Sequence, residues 1–127
     1  MSMRSPLGRI RGLGSAKDGT GHWWAQRVTA LALVPLTFWF VVSIFGVAGS
    51  DYFGFVAWLS SPLVAGLMIL LIVATFHHAQ LGLQVIIEDY VHEEGVKIAA
   101  LLMMKAVVIL LGLTGVLAVL KIAVGGP

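Results

Sequence analysis

Two adjacent histidines, His77 and His78, lie inside an apolar run from Pro62 to Ile87 that carries no formal charge unless an imidazole is protonated. An ionisable side chain at membrane depth is costly and as a rule faces a protein interior or a cavity, so it marks a functional site by default. Asp89 and Tyr90 follow, where the run meets polar sequence. At about 100° per helical residue, Gly82, Val85 and Asp89 all fall within about 40° of His78. One face therefore carries an imidazole near midspan, a glycine one turn on and a carboxylate at the end. His77 is rotated about 100° from His78, and Tyr90 about 120°. The two histidines cannot serve one site in the same manner.

An intramembrane histidine has three uses: a ligand of haem iron, a proton relay, or a structural hydrogen bond to a neighbouring helix. If iron is bound, His77 and His78 cannot be its two axial ligands, because adjacent helical residues diverge. His22 and His92 read as surface residues, roughly 20 Å along the axis from His78. A second axial ligand then comes from another chain, and haem implies an oligomer. Arg27, beside His22, could pair a buried anion such as a haem propionate through its planar fork. The plainer reading of Gly21-His22-Trp23-Trp24-Ala25-Gln26-Arg27 is interfacial anchoring. Asp89-Tyr90 has two readings as well: an acidic helix end with an interfacial tyrosine, or a quinone site in which a phenol donates to a quinone carbonyl while a carboxylate tunes or delivers protons.

The elements that position these residues follow from composition. The 127 residues are 59% hydrophobic and only 11% charged, about half the charge of a soluble domain. Cysteine is absent, which excludes disulfides, thiolate metal sites and covalent haem attachment through cysteine. A net charge of +2 is too small to suggest nucleic acid. The sequence predicts a small all-α membrane protein with three transmembrane helices, over about 24–47, 62–87 and 98–124. Each is long enough for a hydrocarbon core of about 30 Å.

Residues 1–21 are Gly- and Ser-rich, with Arg4, Arg9, Arg11 and Lys17, and read as a cytoplasmic tail ahead of a 22–127 anchor domain. The tail resembles an organellar transit peptide in charge but lacks a clear amphipathic helix. No secretory signal peptide is expected, since the first apolar run is of full membrane-span length. Trp23 and Trp24 suit an aromatic belt, and Pro35 is expected to kink the first span. The 48–61 connection, with Tyr52, Phe53, Phe55 and Trp58, is expected to lie along the interface. Gly112, Gly115 and Ala118 are small residues suited to close helix packing in the third span.

Orientation follows from the basic residues. Arg4, Arg9, Arg11, Lys17 and Arg27 precede or open the first span and Lys97 lies in the second linker, whereas the 48–61 connection has no Lys or Arg. The positive-inside rule places the N-terminus and the 88–97 linker in the cytoplasm. Lys121 is a mild exception at the far side, and Lys105 can snorkel back to the cytoplasmic surface. Glu88, Asp89, Arg27, His22 and His92 then gather at one membrane face.

The run His78-Ala79-Gln80-Leu81-Gly82-Leu83-Gln84-Val85-Ile86-Ile87-Glu88-Asp89-Tyr90 resembles the His-x-x-x-Gly…Asp-Tyr signature of the smaller, D-type hydrophobic anchor subunit of succinate dehydrogenase, complex II. Gly21-His22…Arg27-Val28-Thr29-Ala30 resembles the segment that enters that family's first helix. The resemblance implies half of a heterodimeric haem-binding helical bundle in the bacterial inner membrane. Its implied partners are a second, C-type anchor, an iron–sulfur subunit and a flavoprotein subunit. It implies one haem b shared with the second anchor, His78 as axial ligand, Arg27 and His22 at the propionates, and Tyr90 with Asp89 at ubiquinone. His77 departs from the pattern and supplies an alternative ligand; the glycine at Gly82, one turn from His78, favours His78. FAD and iron–sulfur clusters would belong to partner chains. A quinol:fumarate reductase would show the same features, and a haem-free anchor or assembly module and a proton-relay subunit of a transporter are the competing classes.

Overall fold

A computed structural model describes the backbone of residues 16–125 and the side chains from Gly19. It is all helix among the described residues: α1 Ala16–Val47, α2 Tyr52–Leu59, α3 Pro62–Tyr90 and α4 Glu94–Gly125. The three long helices are each apolar enough to cross a membrane, over Gly19–Val47, Pro62–Tyr90 and Glu94–Gly125. They overrun the expected spans at most ends. α1 already begins at Ala16, so six residues assigned to the tail are helical, and the second linker shrinks to residues 91–93. The remainder of the tail, with Arg4, Arg9 and Arg11, lies outside the described residues.

Local sequence explains the breaks. Asp51 caps α2 by accepting a hydrogen bond from the Gly54 amide at 2.8 Å. Pro62 opens α3 at its first turn, where a missing N–H costs nothing. The Glu93 carboxylate accepts from the Gly95 and Val96 amides at 3.0 and 2.6 Å and so starts α4. Pro35 sits inside α1, which runs on as one helix through it.

α3 is the central element. It packs against α1 on one side and α4 on the other, while α1 and α4 do not meet among the described residues. The long helices therefore form an open row. Gly112 and Gly115 let α4 approach α3: a Cβ at Gly112 would lie 3.6 Å from the Phe76 ring, and one at Gly115 would lie 3.4 Å from Ile72. Ala118, expected at the same seam, is exposed instead. α2 folds beneath the far end. Its Leu59 joins Ala65 and Val119 in the buried cluster, Trp58 stacks on Trp39 of α1 at 6.3 Å, and the Ser60 hydroxyl reaches the Ile122 carbonyl at 3.3 Å. Much apolar surface stays uncovered, including Leu31, Val34, Phe38 and Phe45 on α1 and Leu110 and Leu113 on α4. In a bilayer such surface meets lipid or a partner helix.

Candidate functional site

The site forms where α1 and α3 run antiparallel. Thr29 meets His78, Gln26 approaches Gly82, and His22 shares a recess with Gln84, Val85 and Glu88. This pairing carries two polar side chains of α1, His22 and Gln26, down one side of a groove, with Thr29 buried where the helix meets His78. The groove has a volume of about 490 Å³ and is lined by Gly19, His22, Trp23, Gln26, Arg27, Ala30, His78 and Val85. Its upper end lies near the middle of α3 and its lower end at the face where α3 stops.

His78 is half-buried, and its Nδ1 lies 2.9 Å from the Thr29 hydroxyl. The same hydroxyl lies 2.7 Å from the Ala25 carbonyl and 3.1 Å from the Gln26 carbonyl. His77 is exposed, has no hydrogen bond, and lines separate apolar furrows on the opposite side of the α1 contact, beside Thr29 and Ala32 and beside Phe76 and Gly112. The divergence expected from helical geometry thus becomes a difference in environment: one imidazole is oriented by a neighbour and opens on the groove, the other is free.

His22 lies closer to His78 than the sequence estimate. It is seven residues before Thr29, so the two imidazoles are offset by about 10 Å along the helices at 1.5 Å per residue, and not by roughly 20 Å. That offset is still too great for both to reach one metal ion. Near His22 the groove holds two unsatisfied atoms: His22 Nε2 and Gln26 Oε1 are buried without a hydrogen-bond partner. Buried polar atoms are rarely left unpaired, and such groups call for a further ligand, water or chain. Arg27 is exposed at the groove edge, with its guanidinium 5.2 Å from the centre of the Trp23 ring. Trp23 packs edge-on against Trp24 at 4.9 Å. The unpaired His22 nitrogen, the unpaired Gln26 oxygen and the Arg27 guanidinium therefore share the groove with the oriented imidazole.

Asp89 and Tyr90 end α3 beyond the groove and are both exposed, Tyr90 at 78%. α3 runs unbroken to Tyr90, so Asp89 continues the His78 face, while Glu88 lines the recess beside His22, with Gln84 donating to its carboxylate at 3.0 Å. Tyr90 and Asp89 are brought to the same end of the molecule as His22, not into contact with it.

Thr29 and Gln26 were missed by the sequence reading, although a signal existed. His22, Gln26 and Thr29 stand at i, i+4 and i+7, a polar stripe along one face of the helix. No group of three or more His, Asp or Glu side chains capable of holding a metal ion occurs among the described residues. The arrangement offers one oriented imidazole per chain, with hydrogen-bond donors a turn or two away. That donor set fits haem shared with a second chain. The side chain of Gly82 is only a hydrogen, and a Cβ there would meet nothing nearer than Gln26 Nε2 at 3.9 Å, which leaves the wall beside His78 open.

Comparison with known proteins gives the family. Residues 1–114 match the family model described as succinate dehydrogenase/fumarate reductase transmembrane subunit. A succinate dehydrogenase hydrophobic membrane anchor subunit from Rickettsia bellii is 34% identical over 89 residues, covering 69% of this chain and 70% of the relative. The corresponding subunit from Paracoccus denitrificans is 33% identical over 86 residues, covering 68% and 67%. A membrane anchor subunit from Reclinomonas americana is 27% identical over 96 residues, covering 73% and 80%. With its three apolar helices in place, the chain belongs to the family of transmembrane subunits of succinate dehydrogenase and fumarate reductase.

Proposed function

We propose that this chain is the haem-ligating anchor of a succinate:ubiquinone oxidoreductase and forms part of its quinone-reduction site. The observation that carries the reading is the contrast at the paired histidines. His78 is held by Thr29 at the rim of a groove that contains unpaired polar atoms, whereas His77 has no partner. His78 would hold the iron through its remaining ring nitrogen, and a second anchor subunit would supply a further ligand. When bound, haem b supplies a one-electron redox centre. Arg27 and His22 would hold the propionates, since one carries a guanidinium fork and the other a buried nitrogen in need of a partner.

Quinone reduction adds two electrons and two protons to the quinone. The electrons would be supplied by partner chains, a flavoprotein and an iron–sulfur subunit, since this chain has no cysteine to hold a cluster. The Tyr90 hydroxyl would donate a hydrogen bond to a quinone carbonyl oxygen as negative charge develops there, an interaction that strengthens as reduction proceeds. Asp89, one residue away at the helix end, would hold and deliver a proton. The exposure of both side chains supports this role, because a quinone and a docked partner must reach them. Arg27 and Lys17 before the membrane and Lys97 after α3 support a cytoplasmic position for this end in the bacterial inner membrane, with the N-terminus inside.

The test is purification of the tagged chain in mild detergent. The expected result is recovery with a second anchor, an iron–sulfur subunit and a flavoprotein, a reduced-minus-oxidised spectrum of b type, and succinate-driven quinone reduction. A complex with these subunits but no haem spectrum would leave a haem-free anchor. Recovery without them would point to another class of protein.

A further inference from the structure

Thr29 is 9% exposed and is the one polar or charged residue buried among the described side chains. It sits where α1 crosses His78, and its hydroxyl has three neighbours: the Ala25 carbonyl at 2.7 Å, the Gln26 carbonyl at 3.1 Å and His78 Nδ1 at 2.9 Å. A hydroxyl has one proton to give and two lone pairs to offer. The two carbonyls can only accept, and the nearer of them lies one turn back on the same helix, the usual partner of a helical threonine. With the proton spent on α1, the hydroxyl can only accept from the imidazole. Nδ1 then carries the hydrogen, and Nε2 is left with its lone pair.

We infer that Thr29 is a positioning residue for His78: it selects the Nδ1–H tautomer and fixes the ring plane, so that Nε2 is presented to the groove as a ligand. This rests on the reading of His78 as the haem ligand and deepens it. Three features suit Thr29 to the task. Its β-branched side chain has few rotamers, and its back-bond to α1 leaves one orientation of the acceptor lone pair. Its burial keeps water from competing for Nδ1. Its partner shell is absent at His77, which therefore lacks both a fixed tautomer and a fixed plane. An acceptor on the distal nitrogen also makes a metal-bound imidazole a stronger donor.

The test uses the assembled complex with Thr29→Val, which keeps the shape and removes the hydroxyl, and Thr29→Ser, which keeps the hydroxyl. Thr29→Val is expected to raise the haem midpoint potential, because a weaker imidazole donor stabilises ferric iron less. It should also shift the low-spin ferric electron paramagnetic resonance signal and weaken haem retention during detergent washing by about tenfold. Thr29→Ser is expected to keep the parent potential and signal. An unchanged potential and signal in Thr29→Val would overturn the inference, and so would a Thr29→Ser complex that behaves like Thr29→Val. Should the valine chain not assemble, Thr29→Ala provides the same reading without a bulky side chain. Loss of assembly in both would assign Thr29 to helix packing alone and overturn the inference as well. His78→Ala is the control: if it keeps the parent spectrum, the ligand assignment itself fails, whereas loss of haem there with an unaltered Thr29→Val complex would refute only the role of Thr29.

Discussion

α3 has two seams, built from different chemistry. Against α4 it places Ile72 and Phe76 on Gly112 and Gly115, so that the two helices close to van der Waals distance, with His77 and Gln80 at the edge of the seam. Against α1 it places His78, Gly82 and Val85 opposite Thr29, Gln26 and His22, and the seam opens into a groove with two polar atoms unpaired. In lipid there is no hydrophobic force to press helices together, and packing of small residues serves in its place. The α4 seam is complete in that sense. The α1 seam is closed by a hydrogen bond at Thr29 and keeps two unpaired polar atoms further along. Close glycine packing and the polar groove thus lie on opposite sides of a single helix.

The widest test of this separation is at the histidines. His78→Ala is expected to abolish the b-type spectrum of the purified complex, and His77→Ala to leave it in place. The reverse outcome would move the site to the other side of α3. Next in size is the apolar seam. Gly112→Leu drives a branched side chain into the Phe76 ring and should cost about 2 kcal/mol, as overpacking of a close contact commonly does. Thermal denaturation of the detergent-solubilised complex would measure it, with the haem spectrum of the remaining folded material unchanged. A haem defect at unaltered stability would show that the two seams are coupled.

Tyr90→Phe sharpens the comparison at the end of the helix. Succinate:quinone activity should fall by about tenfold, equivalent to about 1.4 kcal/mol of transition-state stabilisation. Activity with a soluble acceptor that bypasses the quinone should persist, and equal loss of both would mean that Tyr90 holds the complex together. The smallest effect is expected at Arg27. Arg27→Lys keeps the charge but loses the fork and the guanidinium over the Trp23 ring, a contact worth about 0.5–1 kcal/mol at an exposed position. Redox titration and quinone kinetics should therefore change by a few-fold. No change in either would reduce Arg27 to an interfacial anchor.

Much of this was legible in the chain itself. Three runs of membrane-span length, the lack of cysteine, the basic residues before the first span and the acidic link after the second follow from composition and order. The angular relation of His77 to His78 also follows, because helical periodicity is a property of the backbone and holds wherever the helix lies. The small residues of α4 signalled a close seam, and Gly112 and Gly115 form it, but Ala118 does not. Periodicity names a stripe, and only the crossing of two helices decides how much of it is covered.

The sequence by itself determined the class of the protein, its spans and the chemistry available to it, since hydropathy, charge and backbone geometry are local. Tertiary structure decided which groups meet. That Thr29 comes to His78, that His22 is offset by about 10 Å instead of roughly 20 Å, and that Glu88 shares a recess with His22 all depend on the antiparallel register of α1 against α3. Thr29 and His78 are separated by 49 positions in the chain. Register between helices so far apart is set by side-chain packing along the whole seam, and a shift of one turn, about 5.4 Å, would put different residues opposite every position.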